Sequence, residues 1–228
     1  MSGRGQPVVE QPAVRSENRL PPGQKLVQNW PVLDLSVHPD VPLDKWHLKI
    51  HGLVENPVTL NWDQFNALPQ FKDVSDFHCV TTWSKFEMEW EGVAFFTLAD
   101  LVRPKSKAKF VFFKSYDGYS TNNPFDVCMD DDVLIANKVY GKPIPVEHGG
   151  PAGVIIPKKY AWKGAKFIRE ITFIDRDISA SGKSAATPTT PIPGWNNALP
   201  PTIPDYLKEQ TDSSRMRACD YPGTTKGR

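Results

Sequence analysis

The sequence predicts an α+β protein in which mixed, β-rich sheets are covered by short helices. Segments such as Phe110 to Phe113 and Phe167 to Ile174 combine β-branched and aromatic residues, a composition that suits buried, pleated surface. Both helical patterns in the chain are short. In addition, 39% of the 228 residues are hydrophobic, with seven Trp and twelve Phe, which is enough for a sizeable core.

Two more strands follow from local patterns. From Trp46 to Ile50 apolar residues alternate with polar ones, and Gly52 closes this run, as at the end of a half-buried strand. Val154 to Ile156 is a short run of β-branched residues that suits buried sheet. We therefore expect the sheets to begin near residue 46.

Two short helices are predicted from capping signals. Asn61 can cap a helix that buries Phe65. Thr97, with Asp100 three positions later, has the spacing of a capping box for a second helix around Leu98 to Val102. We expect both helices to cover a sheet.

Composition divides the chain into three parts. Residues 1–25 are polar and contain four prolines, which predicts a flexible N-terminal arm. Residues 26–178 hold all the predicted strands and helices, so we expect one domain there. Residues 179–228 begin with a stretch rich in Ser, Thr, Gly and Pro, which predicts an extended tail lying on that domain.

Charge and cysteine content narrow the class of protein. A formal net charge of +1 predicts no broad basic surface, so nucleic acid is not an expected partner. No segment has the length and apolarity of a membrane span, and the N-terminus lacks a signal core. The three cysteines, Cys79, Cys128 and Cys219, are odd in number and far apart, which argues against a disulfide framework. These features predict a cytoplasmic protein.

The segment from His78 to Ser84 places a thiol beside an imidazole in a stretch fit for burial. Cys79 could be an inert small hydrophobe, an activated nucleophile or a soft metal ligand. Pairing with His78 is the weakest of these, because adjacent residues of a strand point to opposite faces. The residues alone leave the first and third interpretations open.

A second group of candidate residues runs from His148 to Lys166. It combines glycines, which let backbone amides approach an anionic group, with lysines and with aromatic rings that can stack on a flat ligand. By composition alone, a solvated lysine-rich loop accounts for the same residues.

Three sequence blocks in register resemble the molybdenum-cofactor domain of the sulfite oxidase family, most closely its small, haem-free prokaryotic members. They are FHCVTTWSKFEMEWEGVAFFTLADLV, SYDGYSTNNP and DDDVLIANKVYGKPIPVEHGGPAGVIIPKKYAWKGAKFIREITFID. The resemblance extends from about Val27 to Asp175. It implies the fold of that domain and an oxidoreductase that depends on Mo-molybdopterin, with tungsten as an alternative metal.

The resemblance also implies roles for individual residues. Cys79 would be the metal ligand and the catalytic centre. His148 and the turn Gly164-Ala165-Lys166 would bind the molybdopterin, with the turn on its phosphate. Further cofactor contacts are expected from Asn29, Trp30 and Ser115. Apart from the resemblance, Tyr119 as a donor and Lys163 as an anion attractor are candidate catalytic residues that shape the substrate pocket, together with Lys85 and Lys158. The alternative for Tyr119 is a hydroxyl that simply bonds to the backbone.

Three departures from the family pattern bear on the substrate. Sulfite oxidases have arginines where this chain has Gln28 and Ser84, and usually where it has Gly153. A planar guanidinium suits a tetrahedral oxyanion, and neutral side chains cannot replace its charge. We therefore expect a small-molecule oxo donor or acceptor other than sulfite, such as a sulfoxide or N-oxide.

The sequence contains no haem-binding or flavin-binding segment, so electrons must pass through a separate carrier. The loss of the usual arginines also leaves an alternative, a non-catalytic protein that binds molybdopterin or a partner.

Overall fold

The computed structural model describes residues 19–33, 35 and 37–178, together with the backbone of residues 218 and 219. Most of the predicted arm and tail lies outside these ranges. The strands are β1 (Lys25–Leu26), β2 (Trp30–Pro31), β3 (His47–Gly52), β4 (Val58–Asn61), β5 (Gln70–Cys79), β6 (Trp83–Ala94), β7 (Phe110–Ser115), β8 (Ser120–Pro124), β9 (Leu134–Val139), β10 (Lys142–Pro143), β11 (Gly153–Ile155), β12 (Ile168–Ile174) and β13 (Ala218–Cys219). The helices are α1 (Trp62–Asn66), α2 (Phe95–Val102) and α3 (Phe125–Cys128).

One sheet is organised around a long antiparallel hairpin. Strands β5 and β6 pair from Gln70↔Val93 to Cys79↔Trp83, so Cys79 lies at the tip of the hairpin. On its other edge β6 pairs with β9, and β9 in turn pairs with β10 and β11. The short strand β1 runs parallel to the tip of β6, which brings the N-terminal segment next to Cys79.

The second sheet has the order β4-β3-β12-β7-β8. Strand β12 pairs parallel with β3 and antiparallel with β7, so this sheet is mixed. A large apolar core, which includes Trp46, Phe95 and Phe113, lies among this sheet, β6, β9 and the helices. A smaller apolar cluster around Trp30, Trp83 and Trp90 lies on the other side of β6 and β9. The predicted α+β class with mixed sheets is confirmed.

The two predicted helices differ in how they begin. At α1 the Gln64 amide donates to Asn61 Oδ1 (2.8 Å) and the Asn61 amide donates to Gln64 Oε1 (2.9 Å), so Asn61 is the cap. Helix α2 instead begins at Phe95, and no side chain caps it. The predicted Thr97 capping box is wrong, because β6 continues directly into the helix and the Phe95 amide donates to the Val133 carbonyl (2.9 Å).

Candidate functional site

A cleft opens beside the tip of the β5–β6 hairpin, between β2 and the loops that flank β11. Seven of the ten candidate residues line it, and the first and last of them are more than 130 positions apart in the chain. They are Trp30, Cys79, Tyr119, His148, Gly164, Ala165 and Lys166. The remainder of its wall is largely apolar and includes Phe77, Trp90, Ile144 and Trp162. The fold therefore forms a concave site around the thiol.

The Cys79 thiol lies in this wall and is only 3% exposed. Its Sγ is 3.0 Å from Thr81 Oγ1, within a tight turn in which Thr82 has φ 70°. Burial raises the pKa of the thiol, while the contact with Thr81 and the Lys166 ammonium act in the opposite direction. A soft cation in the cleft would convert this thiol into a bound thiolate.

The backbone of Cys79 is held from the opposite side of the hairpin. Gln24 Nε2 donates to the Cys79 carbonyl (3.1 Å), and Ser84 Oγ donates to Gln24 Oε1 (3.2 Å). The His78 ring completes this buried network through Nδ1, which is 2.7 Å from Ser84 Oγ. Burial lowers the pKa of His78, although Asp76 raises it. His78 thus bonds to Ser84 and supports the strand, which disfavours a Cys79–His78 nucleophilic pair.

Trp30 and His148 form a stacked pair in the wall of the cleft. Their ring centroids are 3.6 Å apart and their planes differ by 4°. Both side chains are buried, and His148 ends a 3-10 turn that begins at Val146. The stack fixes the orientation of both rings at a place where a flat organic ligand could lie.

The glycines near the cleft are required by close backbone packing. Gly149 has φ +105°, and a Cβ there would be 2.6 Å from Lys166 Cβ. A Cβ on Gly164 would be 2.1 Å from the Val154 carbonyl oxygen. These contacts bring the turn at residues 164–166 against β11, where the Val154 amide donates to the Ala165 carbonyl (2.9 Å).

Lys166 ties two loops together at the cleft. Its Nζ donates to the carbonyls of Leu33 (2.8 Å) and Glu147 (3.0 Å). Among the described residues that line the cleft, Lys166 is the one lysine, and there is no arginine. An anionic group of a ligand would therefore meet its positive charge here.

Three candidate residues lie outside the cleft wall. Asn29 is exposed. Ser115 is buried at the end of β7, and its Oγ has no hydrogen-bond partner among the described residues. Lys163 is 1% exposed, donates from Nζ to the Asn122 carbonyl (2.6 Å) and lies 4.7 Å from the Trp162 ring centroid. Tyr119 lines the cleft, but its hydroxyl donates to the Trp162 carbonyl.

The three positions without arginine differ in their surroundings. Gln28 is exposed, and its carbonyl accepts from Lys85 Nζ (2.5 Å). Ser84 is fully buried in the network behind the hairpin. Gly153 lines the cleft, and the nearest atom to an added Cβ would be the Ala165 carbonyl oxygen at 3.4 Å. Of these three, only Gly153 has room for a side chain in the cleft.

The sequence did not indicate two residues that contact Cys79, namely Thr81 and Gln24. The signal for Thr81 was a hydroxyl two residues after the cysteine, a spacing that a tight turn brings close. Gln24 had no local signal, because it reaches Cys79 only through the parallel pairing of β1 with β6.

The donor set defines the kind of cofactor that fits. No group of three or more His, Cys, Asp or Glu side chains in the described ranges could hold a metal ion. A soft metal bound to the Cys79 thiolate would need its other ligands from an organic molecule. The stacked rings, Lys166 and the apolar wall are suited to such a molecule, and with Cys79 they fit a protein that binds a cofactor-borne metal.

Comparison with known proteins supplies the family. The chain belongs to the oxidoreductases with a molybdopterin-binding domain, whose family model, "Oxidoreductase molybdopterin binding domain", matches residues 35–181. Its cofactor is accordingly Mo-molybdopterin, and the predicted family and cofactor are confirmed. None of the helices within the described ranges has the length and apolar character needed to cross a membrane.

Individual relatives agree with this assignment. The uncharacterized oxidoreductase YuiH of Bacillus subtilis is 35% identical over 159 residues, which cover 68% of this chain and 79% of YuiH. The protein-methionine-sulfoxide reductase catalytic subunit MsrP of Campylobacter jejuni is 26% identical, over 73% of this chain and 65% of MsrP. The sulfane dehydrogenase SoxCD of Paracoccus pantotrophus has the same fold, with a TM-score of 0.58 and 21% identity over 64% of this chain and 41% of that one.

Proposed function

We propose that the protein is a molybdenum-dependent reductase of uncharged sulfoxides, with Cys79 as the protein ligand of the metal. The observation that carries this proposal is the charge of the cleft. Lys166 is the one lysine among the described residues that line the cleft, and its ammonium already donates to two carbonyls. A dianionic substrate would find no guanidinium to replace its hydration, whereas a neutral S=O group needs none.

When bound, the molybdenum cofactor supplies a centre that exchanges two electrons and one oxygen atom. The overall reaction would be R₂S=O + 2 e⁻ + 2 H⁺ → R₂S + H₂O, in which sulfur is reduced and the oxygen leaves as water. The electrons would come from a separate carrier. The apolar wall, including Phe77, Trp90 and Trp162, suits the organic groups on the sulfur and excludes water.

The protein's part at the metal is to supply and orient a thiolate. Thr81 and Lys166 favour the ionised form of Cys79, in opposition to the effect of burial. Gln24 fixes the carbonyl of the same residue, which leaves the thiol side facing the cleft. A soft sulfur ligand positioned in this way suits molybdenum.

The remaining candidate residues would hold the organic part of the cofactor. We assign the pterin to the neighbourhood of the Trp30–His148 stack, and the phosphate to Lys166 with the Gly164 and Ala165 backbone. Asn29 and Ser115 are further candidate contacts, and the unpartnered Ser115 hydroxyl supports its inclusion. Tyr119 and Lys163 would position the segment around Trp162 at the cleft, since Tyr119 donates to the Trp162 carbonyl and Lys163 donates to the Asn122 carbonyl on β8.

The printed names of the relatives favour one sulfoxide. MsrP of Campylobacter jejuni and MsrP of Ralstonia nicotianae, the latter 29% identical over 67% of this chain, are both named protein-methionine-sulfoxide reductase catalytic subunits. We therefore propose methionine sulfoxide in proteins as the substrate.

Assays with purified, molybdenum-loaded protein test this function. With reduced methyl viologen as electron donor, we expect reduction of dimethyl sulfoxide and of peptides that contain methionine sulfoxide. With ferricyanide as acceptor, we expect little oxidation of sulfite. Efficient sulfite oxidation, or no reduction of any sulfoxide by protein of full molybdenum content, would contradict the proposal.

A further inference from the structure

A second cavity lies beside the cleft, and Ile144 is the one described residue that lines both. Its volume is about 530 Å³, within the usual range for pockets that bind organic ligands. Apolar side chains form most of its wall: Val41, Leu43, Trp62, Pro143, Val146 and Pro151.

An unpartnered hydrogen-bond acceptor lies in this wall. Asn137 is 4% exposed, and its Oδ1 has no hydrogen-bond partner among the described residues. The orientation of the amide is fixed: Asn66 Nδ2 donates to the Trp62 carbonyl (2.7 Å), so Asn66 Oδ1 accepts from Asn137 Nδ2 (2.8 Å). The Asn137 oxygen is thus the free acceptor, and a buried acceptor without a donor destabilises the fold unless a ligand or water satisfies it.

The rim of the second cavity is also apolar. Leu43 is 48% exposed and Val146 is 51% exposed, although both are large hydrophobic residues. Exposed apolar side chains around one concavity are typical of a surface that binds another molecule. Two charged side chains also line the wall: the Lys138 ammonium, which is bonded to the Glu91 carboxylate, and the Asp40 carboxylate.

We propose that the second cavity binds the polypeptide segment next to the oxidised methionine, an inference that rests on the proposed sulfoxide-reductase function. A substrate that reaches both the thiol and Asn137 must extend past Ile144. A peptide offers a backbone N–H for Asn137 Oδ1 and apolar side chains for the wall. Free methionine sulfoxide carries an ammonium and a carboxylate, whose hydration this apolar wall cannot replace.

A binding measurement tests this assignment without turnover. The ligand is a short fluorescein-labelled peptide with blocked ends, apolar neighbours and one methionine sulfoxide, measured by fluorescence polarisation. We expect Val146→Glu and Asn137→Leu each to raise its Kd by at least about tenfold. The matched control is Val74→Glu, since Val74 is 53% exposed on β5 and lines neither cavity. We expect it to bind as the wild type does.

Kinetics with two substrates supply the second measurement. In Val146→Glu, the ratio of kcat/KM for the peptide to kcat/KM for dimethyl sulfoxide should fall by about tenfold, because dimethyl sulfoxide is too small to reach the second cavity. Equal peptide affinity and an unchanged ratio in both cavity variants would overturn the inference. If the wild type binds the peptide through this cavity and reduces no sulfoxide, the proposed function fails while the cavity assignment stands.

Discussion

The indole of Trp30 lies flat on the imidazole of His148, with centroids 3.6 Å apart, although 118 positions separate them in the chain. The stack joins β2 to the 3-10 turn at residues 146–148. It also places two aromatic rings within the same wall as the Cys79 thiol.

Replacing Trp30 should weaken both the fold and cofactor binding. Trp30→Ala removes a ring that is 5% exposed, so we expect the free energy of unfolding to fall by about 3–5 kcal/mol. Trp30→Phe keeps a flat ring and should lose less than half of that. Chemical denaturation of both variants, with pterin content measured in parallel, checks this. A Trp30→Ala protein of unchanged stability would show that the stack is not structural.

Cys79→Ser should leave a folded protein that lacks the metal–thiolate bond. A hydroxyl of similar size is a much harder ligand than sulfur, so we expect sulfoxide reduction to fall by at least about tenfold. Cys128→Ser is the matched control, because Cys128 is a buried thiol that does not line the cleft. If Cys128→Ser abolished sulfoxide reduction and Cys79→Ser did not, the ligand assignment would be wrong.

Lys166→Glu should yield folded protein with little cofactor. The substitution places a carboxylate where the ammonium now bonds to the Leu33 and Glu147 carbonyls, and it would repel both a phosphate and the Cys79 thiolate. Lys107→Glu, on an exposed loop, should load normally. Equal molybdenum and pterin content in the two variants would place the phosphate elsewhere.

Two glycines of the cleft should respond differently to a methyl group. A Cβ on Gly164 would be 2.1 Å from the Val154 carbonyl oxygen, so Gly164→Ala should destabilise the protein by about 1–3 kcal/mol. Gly153→Ala should be tolerated, because its nearest contact is 3.4 Å. Thermal unfolding of the two variants side by side is the measurement. Similar Tm values would mean that the loop at residue 164 shifts easily.

Asp73→Asn should stabilise the protein at neutral pH. Burial raises the pKa of Asp73, and the nearby Asp132 carboxylate adds to this effect. The folded state therefore prefers the protonated acid. The contribution of this group to stability is complete below the ordinary carboxyl pKa of about 4 and is lost as pH rises through the folded-state value.

Because asparagine does not titrate, the advantage of the Asp73→Asn variant should grow with pH across that window and then become constant. Denaturant midpoints measured from pH 3 to pH 8 check this. An advantage that is greatest at the acidic end would contradict the assigned direction.

The sequence predicted much of the site because its residues fall in short blocks that resemble a known family. His148, Lys166 and Cys79 are each recognisable beside their own neighbours, and the fold brings them into one cleft. The stacking of Trp30 on His148 could not be predicted, because it depends on how β2 approaches a turn more than 100 residues later. The burial of Ser84 could not be predicted either, because it follows from the pairing of β1 with β6.

Helix α2 illustrates a second limit. Local side-chain signals placed its start at Thr97, but a backbone hydrogen bond from Phe95 to Val133 on a distant segment determines it. The structural role of Gly164 was also ambiguous from the sequence alone. Gly164 was predicted from phosphate approach, whereas the structure requires it for contact between two main-chain segments. The deciding contact lies outside the local motif in both cases, at Val133 for Phe95 and at Val154 for Gly164.

The complete burial of Ser84 restricts how this protein could evolve toward anionic substrates. An arginine at that position in this protein would have to enter the buried network and would separate His78 from Gln24, so it should destabilise the hairpin. A Cβ on Gly153 would instead make only ordinary contacts, the nearest at 3.4 Å, and this residue lines the cleft. Of the three positions, Gly153 is therefore the one where a longer side chain could enter the cleft without displacing a buried hydrogen-bond network.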